Sequence, residues 1–110
     1  MNKIEAIYQK QKEYGYIKSM NIFRNINGED CSQYNMKLSL VDFPRWDENE
    51  HFDILFEGLS NIKIGDIDNL LKVFIQIEYI AEYQYETAKY AVKECENELF
   101  SFLCKDIKIL

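Results

Sequence analysis

A chain of 110 residues that is 47% hydrophobic and 15% aromatic has enough apolar material for one core, which excludes an intrinsically disordered chain and predicts a single domain over residues 1–110. Nineteen acids against thirteen bases leave a formal charge of -6, a field that repels phosphate backbones and anionic lipid and so argues against nucleic acid and membrane as partners and for a basic protein. No apolar signal region opens the chain, charges interrupt every run before the roughly 20 apolar residues of a membrane span, and Cys31, Cys95 and Cys104 form no Cys-x-x-Cys pair, so a soluble cytoplasmic protein with reduced, mostly buried thiols is expected.

In chain order, Ile4, Ile7, Tyr8 and Gln11 recur at helical spacing before Gly15, which predicts a short N-terminal helix over Ile4 to Tyr14. Tyr16 to Ile26 turns β-branched and aromatic, Asn27-Gly28 supplies a tight turn, and Met36, Leu38 and Leu40 alternate with Lys37 and Ser39 in a returning strand, Tyr34 to Val41. Asp42 to Glu50 holds the only proline, Pro44, and reads as an exposed loop. Phe52, Ile54 and Phe56 resume alternation until Gly58, and Asn61 to Ile64 reads as a separate strand after a bend.

Two periods compete in the back half. Leu70, Phe74, Ile77, Ala81, Tyr85, Ala88, Val92, Cys95, Leu99 and Phe102 would make a helical stripe, whereas Val73, Ile75, Ile77 and Tyr79, then Tyr83, Tyr85 and Thr87, alternate with period two. The β-branched and aromatic content favours three long strands, with Glu94 to Glu98 as a polar turn. The expected fold is mainly β (α+β), an antiparallel meander sheet of about 5–7 strands with a short N-terminal helix.

Chemistry-bearing residues are sparse. His51 is the only histidine, so neither a hydrolytic triad nor a two-histidine metal site can be assembled without it, and a solvated loop position is its simpler reading. No EF-hand spacing or phosphate-binding loop is present; no enzyme activity, cofactor or metal is expected. Three surfaces are candidates for partner contact. Trp46 with Asp47, Glu48 and Glu50 sets an aromatic anchor beside negative charge, although Trp46 would equally serve as a cover for the core. Glu78, Glu82 and Glu86 with Tyr79, Tyr83 and Tyr85 would form an acidic, tyrosine-rich strand face, or an ordinary solvated one. Glu94, Glu96 and Glu98 would decorate a charged turn.

Phe56-Glu57-Gly58-Leu59, Tyr90-Ala91-Val92 and Glu96-Asn97-Glu98-Leu99-Phe100-Ser101-Phe102-Leu103-Cys104-Lys105-Asp106-Ile107 together resemble small bacterial immunity proteins encoded beside polymorphic, contact-dependent toxins. The resemblance spans residues 35–110 and implies a mostly β cytoplasmic inhibitor that binds one cognate toxin, such as a basic nuclease domain, without catalysis. Two other classes stay open on the residues alone: a self-associating homodimer pairing through a β edge, and a small-molecule binder with a tyrosine-rich cavity.

Overall fold

A computed structural model describes residues 3–24, 33–42, 51–65, 72–80 and 88–110. They form one helix, α1 (Lys3–Gln11), and seven strands: β1 (Tyr16–Arg24), β2 (Tyr34–Val41), β3 (His51–Ile64), β4 (Ile75–Tyr79), β5 (Tyr90–Glu94), β6 (Phe100–Cys104) and β7 (Asp106–Ile109). The mainly β architecture with a short N-terminal helix is the expected one, and it overturns the helical stripe in the back half. Three details differ. The helix stops at Gln11, where the Glu13 and Tyr14 amides both fold back onto the Lys10 carbonyl. The described residues of the back half make four short strands where three long ones are expected, and β4 ends at Tyr79. The anticipated strand through Tyr83 and Tyr85 and the Asn27-Gly28 turn lie outside the described residues.

Every strand pair is antiparallel, in the order β1-β2-β3-β6-β5-β4, with β7 also on β3. The order is two three-stranded meanders joined where β3 meets β6, a long-range pairing that no local pattern announces. β3 is one continuous strand where two were expected. Its first part pairs with β2 and β7, and Ser60, Lys63 and Ile64 pair with β6.

Gly58, which reads as a strand stop, is the corner. It takes φ 69° and Asn61 takes φ 52°, left-handed conformations that glycine and asparagine tolerate best and that turn a strand without ending it. Opposite the corner, the Lys105 amide donates to the Glu57 carbonyl at 2.9 Å, and the chain passes from β6 to β7. A Cβ on Gly58 would lie 2.8 Å from the Lys105 side chain.

Alternation buries Met36, Leu38, Leu40, Ile54 and Phe56 from the first half of the sheet against Ile75, Ile77, Val92, Phe100 and Phe102 from the second. Phe56 and Phe102 meet edge to face at 5.1 Å. The helix adds Ile7, fully buried, and its polar residues do something less usual. Tyr8 Oη accepts from the Ile77 amide and donates to the Ile77 carbonyl, both at 3.0 Å, while the Gln11 amide group makes the same double contact with Ile75. Two side chains one helical turn apart thus occupy the edge of β4 as a neighbouring strand would.

Candidate functional site

Alternation that points Ile75, Ile77 and Val92 inward sends Gln76, Glu78, Ala91, Lys93, Ser101 and Leu103 outward. The register puts Gln76, Lys93, Ser101 and Lys63 in one row, and Glu78, Ala91, Leu103 and Ser60 in the next. The small side chains of Ala91 and Ser101, among longer neighbours, lie in a shallow depression of about 340 Å³. Of the candidate partner-binding residues, Glu78 lies here, exposed at the edge of the face. Trp46, Asp47, Glu48, Glu50, Glu82, Tyr83 and Glu86 lie outside the described residues. Along β4 the acidic, tyrosine-rich face does not form: Tyr79 takes the opposite side from Glu78 and packs edge to face on Tyr90 at 5.5 Å. Adjacent residues of a strand cannot share a face.

A second surface forms at one rim of the molecule. The ends that bracket residues 43–50, Val41 and His51, pair with each other, and Val41 also pairs with Tyr16. Tyr16 bridges to Lys72, the first described residue after 66–71. The Lys72 carbonyl accepts from Asn97 Nδ2 at 3.0 Å, and the Leu99 carbonyl accepts from the Gly65 amide at 2.8 Å. The anchors of 43–50, the anchors of 66–71 and the turn carrying Glu96 and Glu98 are therefore tied together.

At the same rim Gln11, Lys12, Lys72, Val73, Phe74 and Glu96 line a depression of about 390 Å³. Phe74 is 44% exposed and stacks on Tyr8 at 6.1 Å. It was not among the sequence candidates, although the period-two pattern already assigns it to the solvent side.

Charge divides unevenly between the strands and these connections. Residues 25–32, 43–50, 66–71 and 81–87 hold nine of the nineteen acids, and Arg45 is their single base. The acidic balance of the chain is thus carried by four connections between strands.

Glu94 overturns the reading of a solvated charged turn. It is buried, in phase with Val92 on the inner side of β5. Its Oε2 accepts from the amides of Phe74 and Glu96 at 2.9 Å each, and its Oε1 from those of Asn97 at 2.7 Å and Leu99 at 3.3 Å. One carboxylate thus organises the turn beside the rim. Close approach adds to this, since a Cβ on Gly65 would lie 2.5 Å from the Glu98 carbonyl oxygen.

His51 is the first residue of β3, not a loop residue, and its Nδ1 lies 2.8 Å from Asp53 Oδ1. The Ser39 hydroxyl donates to the same oxygen. The carboxylate stands between serine and histidine, whereas a nucleophile relay needs the histidine in the middle. Burial pushes the Asp53 carboxyl up, but the hydrogen bonds from Ser39 and His51, with the charges of His51 and Lys37, outweigh it and hold it below 3.8. The Lys3 ammonium, 2.9 Å away, likewise holds Asp106 low, and is itself raised above 10.5 by that bond.

Depressed carboxylates add stability that is complete above their unfolded value and is lost as pH falls through the folded one. Unfolding free energy should therefore drop below about pH 4. Asp53→Asn should be less stable at neutral pH and lose part of that falling limb in denaturant titrations across the acid range.

Cys104 is buried and its thiol is pushed up to about 12 by burial; Cys95, expected to be buried, is exposed, and Cys31 lies outside the described residues. Among the described residues no group of three or more His, Cys, Asp or Glu could hold a metal ion, and no helix is long and apolar enough to cross a membrane.

No curated protein and no solved structure matches the chain. A family model described as Immunity protein PIM8 matches residues 1–109, taking in the helix and all seven strands, and the protein belongs to that family.

Proposed function

We propose that the protein acts in the bacterial cytoplasm as a single-domain, non-catalytic inhibitor that binds a cognate toxin directly and blocks it. The observation that carries this beyond family membership is the rim. There an exposed aromatic, Phe74, and an apolar depression adjoin the tied anchors of two acid-rich connections. An aromatic anchor beside concentrated like charge suits a tight protein interface with fast, steered association. The acidic excess selects a basic toxin domain, and nucleases, which bind phosphate, are such domains.

In this reading Trp46, Asp47, Glu48 and Glu50 make the principal contact with the toxin. In the same reading Glu78 on β4, with Glu82, Tyr83 and Glu86 after it in the sequence, supplies further contacts to the toxin.

The test begins with the toxin domain that this reading expects to be encoded next to the gene. Co-expression should restore growth to a bacterial host that the toxin arrests. In surface-immobilised binding, reversing Asp47, Glu48 and Glu50 to lysine should slow association by about tenfold and flatten its salt dependence, while Trp46→Ala should speed dissociation. A wild-type chain that fails to bind the toxin domain would refute the function. Unchanged kinetics in the variants would remove those residues from the interface and leave the function standing.

A further inference from the structure

We propose that the outer edge of β1 is a docking site for an extended acidic strand of a partner protein, taken up by strand addition. Two other edges of the sheet are engaged from within. Tyr8 and Gln11 fill the edge of β4, and Lys3 Nζ donates to the Ile107 carbonyl of the four-residue β7. β1 is nine residues long, and among the described residues nothing pairs with Ser19–Arg24 on the side away from β2.

This edge also has an apolar seam. Met20 continues the buried row of Leu38 and Ile54, and Ile22 continues that of Met36 and Phe56. Met20 is half-buried against the core, and Ile22, 36% exposed, ends its row in the open. A further strand with apolar residues opposite Met20 and Ile22 would extend both.

The charges choose the occupant. The register with β2 shifts between Ile17 and Ser19, so Lys18 sits at a bulge, and the ladder then runs regularly from Ser19 to Arg24. Lys18 and Arg24 bracket this stretch, and β1 contains no acid. A second copy of the chain pairing antiparallel about Asn21 would place Lys18 opposite the other copy's Arg24, twice, and like charges directly opposite are destabilising. Basic residues on an edge commonly keep edges apart. Here the same pair rewards a partner strand that carries acids at both ends.

The inference is independent of the toxin reading, because synthetic peptides test it alone. Acetyl-Glu-Thr-Val-Thr-Ile-Thr-Glu-amide is the antiparallel complement of Lys18–Arg24, and its control carries lysine at both ends. Titrated to ~1 mM against the labelled full chain in an NMR experiment, the acidic peptide should shift and protect alternate amides of Ser19–Arg24. It should bind at least about tenfold more tightly than the control. Lys18→Glu combined with Arg24→Glu should invert the preference between the two peptides. The proposal is overturned if neither peptide moves β1 amides, if both move them equally, or if the wild-type chain sediments as a dimer with those amides already protected.

Discussion

Glu94→Ala is expected to lower the free energy of unfolding by about 3–4 kcal/mol, seen as a lower urea midpoint at an unchanged slope. The magnitude follows from what the side chain does. Its two oxygens accept four backbone amides, from Phe74 before β4 and from Glu96, Asn97 and Leu99 in the turn between β5 and β6. Each amide left unsatisfied costs about 1–3 kcal/mol when buried, and water can reach only some of them. Against the 5–15 kcal/mol typical of a domain, the loss is large. Glu94→Gln discriminates a hydrogen-bond role from a packing role. It conserves volume but turns an amino group towards donors, so it should recover less than half of the loss; full recovery would show that the carboxylate serves only as filler.

Glu94 carries two opposed signals in the sequence. Charge suggested solvent, yet the residue keeps step with Val92, whose side chain is inward, and parity was the stronger signal. The β1–β2 hairpin was legible because Met36, Leu38 and Leu40 alternate with polar residues over a whole strand. The continuity of β3 was not legible, because Gly58 and Asn61 look like interruptions and become a corner only when β2, β6 and β7 hold the chain on both sides. The alternating pattern runs on past Tyr79 into residues that lie outside the described ones, and the last described pair of the ladder with β5 is Tyr79 and Tyr90. Strand order itself has no local signature: β3 beside β6 depends on core contacts between residues far apart, such as Phe56 on Phe102.

The candidate site divides along the same line. Composition announced an acidic protein, and the strand ends anchoring residues 43–50 and 66–71 turn out to be neighbours through Tyr16. Two pairings that share one residue create that proximity, and single-sequence periodicity contains neither.

Gln11→Ala combined with Tyr8→Phe is expected to release the helix from the sheet. The first change leaves the Ile75 amide and carbonyl without their partner at a site where Gln11 is 3% exposed, a loss of about 2–3 kcal/mol. The second removes only the hydroxyl that bridges the Ile77 amide and carbonyl, and because that contact is partly buried its loss is about 1 kcal/mol. The two should exceed their sum, since both pin one helix to one strand edge and each holds the other in place. Amide exchange gives the sharper reading. In the double variant, protection should fall at Ile75 and Ile77, whose amides face the helix, and persist at Gln76, which is paired with Lys93. Equal loss across β4 would mean that the strand, not its guard, has come away. If instead the edge is freed while β4 stays on β5, the variant should self-associate in a concentration-dependent way, because an unguarded edge is a template for another strand.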